Sequence, residues 1–304
     1  MNLKELFERN AKLVVFLGIM CSSFSAIFTR ILSEEMSPLI IGFYRLSFSL
    51  PFFFYLALSN KETRQELKDL KAQNISLSMM AGVFLFFHFL CWFNAVARTS
   101  IVNASVLCAM HPVIIAFLCV AILKEKITLP MLMAVTLSLI GAIFLAGGDL
   151  RLIGGEYFIG DILAFTASIC LSLYWIIGRK ARNNLSANVH ILITFSSCWL
   201  CFLLASLMTG SKFAGYSLMA FFWVFLMALT CQILGHATMN WGLGFVSPMF
   251  ISVVDNTSAV YAAVLGAIFF KEYPALFQYI GGISAVSGLV LYNYFENKRN
   301  NELT

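Results

Sequence analysis

Between Lys212 and Lys271 the chain runs for 58 residues with one formally charged side chain, Asp255. As a single helix that stretch would reach about 87 Å at 1.5 Å per residue, far beyond the thickness of a bilayer. Gly242, Gly244, Ser247 and Pro248 interrupt it, so it reads as two membrane crossings joined by a tight turn. Inside lipid every backbone polar group must be satisfied internally, which leaves helices and closed barrels. These runs lack the apolar/polar alternation of barrel strands, so the chain reads as an all-α membrane protein. The composition agrees. Hydrophobic side chains make up 60% and charged ones 12%, against roughly 45–50% and 25% in soluble domains.

Ten spans can be drawn, at about 12–32, 38–58, 75–97, 100–123, 127–147, 158–178, 187–209, 217–241, 246–270 and 275–295. Lys4, Arg9 and Lys12 ahead of the first apolar stretch imitate a signal peptide. Apolar and small residues continue to Leu32, however, too far for a cleaved segment, so this stretch is kept as a span. Fourteen of the twenty Lys and Arg residues fall on the face carrying both chain ends and five on the other, with Arg45 inside the second span. The positive-inside bias makes that face cytoplasmic. The net charge of +5 reflects the same bias and gives a nucleic-acid partner no separate support. The eight cysteines lie in apolar stretches, and Cys198 and Cys201 have no charged neighbour to generate a thiolate. They read as small packing residues.

Residues 92–145 and 239–292 superpose without a gap at an offset of 147, with ten of 54 positions identical. Lys124-Glu125 falls on Lys271-Glu272, Gly141 on Gly288, Ser105 on Ser252 and Ser100 on Ser247. A ridge of small residues follows in both copies, Ala134/Ser138 and Gly281/Ala285. This is an internal duplication. Five spans per copy is an odd number, so the second copy enters the membrane from the opposite side. The expected architecture is ten transmembrane helices as two inverted five-helix repeats: residues 1–147, a linker at 148–157, and 158–304 with a short cytoplasmic tail. Inverted repeats recur in secondary transporters because near-equivalent halves can exchange roles between inward-open and outward-open states.

At this level the chain resembles the EamA-type drug/metabolite transporters. The resemblance rests on the two five-helix units, Arg45 in a Phe-Tyr-Arg-Leu context, and Lys-Glu closing the fourth and ninth spans. The corner from Trp92 to Ser100 and the run Met110, His111, Pro112, Val113 also carry it. It covers nearly the whole chain and implies a transporter. Two departures stand out. Thr257, Ser258 and Ala259 occupy positions where many members carry Gly-Glu-Pro, and Lys124 and Lys271 replace the usual Gly before the Glu. The first lies where substrate could be held, so no relative's substrate transfers.

Polar side chains at mid-membrane depth are functional candidates by default. Helical spacing groups Ser252, Asp255 and Ser258 on the ninth span, and Ser105, Cys108 and His111 on the fourth. Gln232, His236 and Asn240 align on the eighth, His88 and Trp92 on the third. Ser168, Ser172 and Trp175 align on the sixth beside Tyr174, and Ser22, Ser25 and Thr29 on the first. These stripes are expected to surround a central cavity, with the fifth and tenth spans packing outside it.

A carboxylate at mid-span costs most when ionised, so Asp255 is a candidate for proton exchange, for pairing a substrate ammonium, or for a structural ion pair. Arg45 has three open roles: a bidentate site for a substrate carboxylate, a partner for Asp255, or snorkelling. The resemblance places an Arg here in members with varied substrates, which favours a structural role. His88 and His236 fall within one residue of repeat equivalence. His190 is expected at the interface, and Ser247-Pro248 is expected only to start a helix. Pro112 weakens the helix at His111, as a hinge or a static kink. Trp92, Trp175, Tyr44 and Tyr174 offer flat faces to a substrate.

The favoured function is a secondary transporter of a small organic metabolite by alternating access: an exporter of amino acids or related compounds, with protons as a candidate coupling partner. The alternatives are import or exchange of a metabolite or nucleotide-like substrate, and, in another class, a channel or membrane scaffold. No phosphate-binding glycine loop and no His-Glu-x-x-His is present, so neither an ATPase nor an enzyme is expected, and no cofactor or metal. The expected partners are lipid and substrate, in a monomer or weak homodimer of the cell (inner) membrane.

Overall fold

A computed structural model describes residues 3–98, 104, 107–124, 127–146, 156–258, 260–261 and 276–303. Among these every regular element is a helix: α1 (Leu3–Arg9), α2 (Ala11–Ser22), α3 (Ser25–Leu32), α4 (Pro38–Ser59), α5 (Lys61–Lys68), α6 (Ala72–Arg98) and α7 (His111–Leu118). There follow α8 (Leu129–Ala146), α9 (Glu156–Arg182), α10 (Ala187–Met208), α11 (Leu218–Met227), α12 (Ala237–Gly242), α13 (Pro248–Asp255) and α14 (Leu276–Leu303). Two π-helical segments, Cys119–Leu123 and Ala228–His236, extend α7 and join α11 to α12.

Local chemistry starts these helices. Pro38 and Pro248 occupy first-turn positions, where a missing N–H costs nothing. Asn60, Ser186, Ser217 and Ser247 accept first-turn N–H groups as N-caps. Ser217 also donates its backbone N–H and its hydroxyl to Glu35, at 3.0 and 2.8 Å. Those two bonds hold the Glu35 carboxyl below the usual carboxylate range. Lys124, after the first π segment, has φ of 55°, a left-handed conformation that costs a non-glycine residue roughly 1–2 kcal/mol.

The burial pattern is inverted relative to a soluble protein. Leu218 and Met208 are 88% exposed and Phe117 71%, while Arg45, Gln232, Asn240 and His190 are 0% exposed. Among the described residues six helices are long and apolar enough to cross a membrane: 11–32, 38–59, 72–98, 158–182, 187–208 and 218–242. The protein is therefore an integral, multi-pass membrane protein. Parts of the expected fourth and ninth spans lie outside the described residues, as do Ser100, Ser105, Glu125, Lys271-Glu272 and most of the linker.

Packing repeats with the sequence. A shift of 147 carries α4 onto α10, α6 onto the helix 218–242, and α8 onto α14. The contacts follow the same exchange. α6 packs on α9 as the helix 218–242 packs on α2, and α6 on α10 as that helix packs on α4. α8 lies directly along its mate α14. A Cβ on Gly141 would fall 2.6 Å from the Gly281 carbonyl oxygen and onto the Ala285 backbone. Reciprocally, a Cβ on Gly288 would fall 2.7 Å from the Ala134 oxygen and onto the Ser138 backbone. As numbering rises on one helix it falls on the other, so they run antiparallel with the two small-residue ridges in mutual contact. Close backbone approach of this kind replaces hydrophobic burial as the packing force in lipid. Gly288→Ala is expected to cost about 1–3 kcal/mol by overpacking against backbone that cannot yield. Thermal unfolding in detergent checks this, with Gly141→Ala giving the same loss.

One reading from sequence is corrected. Ser247 does more than start a helix, since its hydroxyl also donates to Glu296 at 2.5 Å. His190, in the first turn of α10, is fully buried, with Ser78 Oγ 2.9 Å from its Nδ1. The expected break near Gly242–Pro248 matches the structure; Cys198 is buried and Cys201 half-buried in the packing, neither in a disulfide.

Candidate functional site

Two helix interruptions define the site. The chain leaves helical geometry at Ala109–Met110, before α7, and at Asn256–Thr257, after α13; the two turns are 147 residues apart. Their hydrogen bonds correspond. Met110 N–H reaches Leu107 O at 3.3 Å and Thr257 N–H reaches Val254 O at 2.9 Å. Val113 N–H to Met110 O (3.1 Å) pairs with Val260 N–H to Thr257 O (2.9 Å). At the first break Pro112 lacks the N–H that would bond Cys108 O, and the ring Nδ1 of His111 lies 2.8 Å from that carbonyl instead. A third interruption, Ser23–Phe24, separates α2 from α3. Membrane helices broken in this way are where carriers build ligand sites.

The three breaks meet around a cavity of about 120 Å³. Ser22, Ser23 and Ser25 line one side; His88, Phe89 and Trp92 of α6 face it, and Trp175 of α9 with His236 closes it. Cys108, His111, Asp255, Asn256 and Ser258 come from the two repeat-equivalent breaks. His111 Nε2 stands 3.5 Å from Asp255 Oδ2 and 3.2 Å from Ser252 O. Both ring nitrogens of His111 thus face acceptors. The pair has two satisfied arrangements: imidazolium with carboxylate, or neutral imidazole accepting a hydrogen bond from the carboxylic acid. His111 is 2% exposed at its side chain, while Asp255 keeps 20%, on the cavity. The Trp175 ring stands edge-on to His111 at 5.3 Å. His88 Nδ1 is 3.0 Å from Ala167 O, so that nitrogen carries the hydrogen and Nε2 is left as an acceptor.

Of the residues expected at a site, His88, Trp92, His111, Trp175, His236, Asp255 and Ser258 line the cavity. Arg45, Gln232, Asn240, Tyr174 and Ser252 sit behind its wall, each 0% exposed. Ser252 donates its hydroxyl to Met249 O within its own helix (2.7 Å). Asn240 donates to Tyr174 OH and to His236 O. Arg45 neither snorkels nor pairs with Asp255. Its Nε donates to Gln232 Oε1 at 2.8 Å and its guanidinium lies 4.2 Å from the centre of the Phe89 ring. Burying a cation costs several kcal/mol even after relaxation. The charge-assisted bond returns about 1.5–3 kcal/mol and the ring face about 2 kcal/mol, so at best the two offset that cost.

Sequence reasoning missed Asn256 and Phe89. Counting every third residue from Ser252 assumed an unbroken helix, and the turn at 256–257 swings Asn256 onto the cavity. Phe89, one of thirty Phe, carries no signal of its own beyond standing next to His88.

A model of the EamA-like transporter family matches residues 10–147 and 158–294. An uncharacterized transporter of Archaeoglobus fulgidus is 22% identical over 277 residues, covering 88% of this chain and 91% of that protein. The uncharacterized transporter YyaM of Bacillus subtilis is 22% identical over 230 residues, covering 73% and 74%. One solved crystal structure shares the fold with a TM-score of 0.77 at 13% identity, covering 94% of this chain and 98% of its own.

Proposed function

We propose that this chain, which belongs to the EamA-like transporter family, carries a small amine-bearing metabolite across the membrane by alternating access between two inverted five-helix halves. The halves are residues 1–147 and 158–304, joined by 148–157, with ten spans, both termini cytoplasmic and the cell (inner) membrane as its site. The cavity at the two repeat-equivalent breaks carries this reading, since a seam between equivalent halves is what a rocking carrier needs. Among the described residues that line it, Asp255 is the one carboxylate and Lys and Arg are absent. That balance favours a substrate ammonium, and Trp92 and Trp175 offer the cation aromatic faces. About 120 Å³ is room for roughly four waters and lies below the ~300 Å³ of the smaller drug-sized pockets. An amino acid or similar compound therefore suits it better than a nucleotide. The His111–Asp255 pair supplies a group able to exchange a proton for that ammonium, which makes export driven by proton entry the coupling we favour.

Counterflow in proteoliposomes tests the carrier. Unlabelled small amino acid trapped inside is expected to accelerate uptake of the labelled compound, saturably. Flux that rises linearly with concentration and ignores the trapped compound would indicate a channel, and no flux of any small amine would remove the substrate class.

A further inference from the structure

Arg45 holds a full positive charge with most of its hydrogen-bonding capacity unused. Only Nε has a partner, Gln232 Oε1; Nη1 and Nη2 have none, and neither does Gln232 Nε2. Each of those three nitrogens carries two hydrogens. The amide cannot be turned round, because that would set N–H against N–H, so Arg45 itself fixes Gln232 with its donors outward. Both side chains are 0% exposed. Among the described residues no carboxylate forms an ion pair with Arg45, and Asp255 is engaged by His111. One hydrogen bond and one ring face do not neutralise a desolvated charge. A water could occupy some of these donors, but it would leave the charge uncompensated.

We propose that Arg45 Nη1 and Nη2 with Gln232 Nε2 form a subsite for a small anion that only accepts hydrogen bonds, either a carboxylate group or a halide. Three features fit that chemistry. The three partnerless donors belong to two side chains that are hydrogen-bonded to each other, and no ion pair to a carboxylate is present at Arg45 among the described residues. Gln232 sits in the π-helical segment Ala228–His236, a distortion frequent at ligand sites. Phe89 links this subsite to the cavity: it carries the guanidinium on its face, meets His236 edge-on at 4.9 Å and lines the cavity. Displacement of that ring would bring the guanidinium toward the cavity, with Asp255 at the cationic end and Arg45 at the anionic end.

The test is thermal unfolding of the purified protein in detergent at constant ionic strength, in sodium chloride, acetate or gluconate, the last with a polyhydroxy chain too large for so enclosed a site. Chloride or acetate is expected to raise the unfolding temperature saturably over gluconate. Ligand at tenfold its Kd shifts the folding equilibrium about elevenfold. Gln232→Glu sets a fixed carboxylate beside the guanidinium, so it is expected to stabilise the protein in gluconate and erase the response. Arg45→Gln is expected to erase it too. A response to chloride identifies a free inorganic anion as occupant, and a response to acetate alone identifies a carboxylate of the substrate. Equal unfolding temperatures in all three salts, or a response that survives Gln232→Glu, would overturn the subsite. No transport enters this measurement, so its failure and failure of the carrier reading are separable.

Discussion

Asp255→Asn is expected to leave the protein folded and to lower counterflow of a small amine roughly 10- to 100-fold, with the residual flux insensitive to pH. The size follows from the charge-assisted hydrogen bond between carboxylate and substrate ammonium, which an amide cannot make. A hydrogen bond to a charged group contributes about 1.5–3 kcal/mol, and each 1.4 kcal/mol is about tenfold in affinity. Folding should survive because an Asn amide N–H can donate to His111 Nε2, 3.5 Å from the present carboxylate oxygen, while the ring Nδ1–H keeps its hydrogen bond to the Cys108 carbonyl. The loss of pH sensitivity follows from exchange of a proton for the substrate: the pair holds one proton more without the ammonium than with it, and an amide cannot take up that proton. Wild-type flux should therefore vary with pH while the variant's does not. Asp255→Asn with undiminished flux and an unaltered pH profile would remove Asp255 from both coupling and substrate binding.

How much of this was legible beforehand depends on which physical quantity the sequence encodes. Depth is encoded well. Runs of uncharged residues located the helices 38–59, 187–208 and 218–242 within two residues, because a single charge in lipid costs enough to mark a boundary. The duplication was legible in Gly141 and Gly288, and the structure gives those glycines their reason: each receives the other repeat's backbone. Lys124 stood out as a lysine where the family resemblance implied glycine, and its φ of 55° is the conformation for which glycine is the cheap choice. Azimuth was encoded less well. Spacing along an ideal helix put Ser252, Asp255 and Ser258 on one face, yet only the last two reach the cavity, from either side of the turn at 256–257, while Ser252 gives its hydroxyl to Met249 O inside its own helix. Arg45 showed its depth in the sequence but not that Phe89 stands between it and the cavity. That separation depends on packing between helices distant in sequence, which one chain's periodicity does not record.

Lys12→Ala is expected to destabilise the protein by about 2–3 kcal/mol, more than Glu296→Gln, and the double substitution is expected to recover much of the loss. The asymmetry comes from burial. Glu296 is 4% accessible at its side chain and Lys12 34%. Lys12 Nζ donates to Glu296 Oε2 at 3.0 Å and to Asn293 and Asn297 at 2.6 and 2.8 Å. Removing the lysine strands a buried carboxylate, the costly case, for which about 3–5 kcal/mol is typical of full burial. Partial exposure of Lys12 brings the figure down. Glu296→Gln instead keeps an acceptor for Ser247 and Tyr292, which donate to Oε1 at 2.5 and 3.2 Å, and leaves a half-exposed ammonium that water can solvate. The consequence extends beyond stability. Ser247 caps α13, and Asp255 ends that helix about 12 Å along its axis. Glu296 thus ties the beginning of α2 and the end of α14 to the helix that carries the cavity's carboxylate. Loosening this junction should open the cavity toward the face where those chain ends meet. Cys108 lines the cavity and reports on it. With the other seven cysteines replaced, a membrane-impermeant maleimide added from that face is expected to label Cys108 severalfold faster in Lys12→Ala than in the parent. Equal stability losses for the two single substitutions, or unchanged labelling despite the predicted loss, would mean that the junction holds the bundle together without governing access to the cavity.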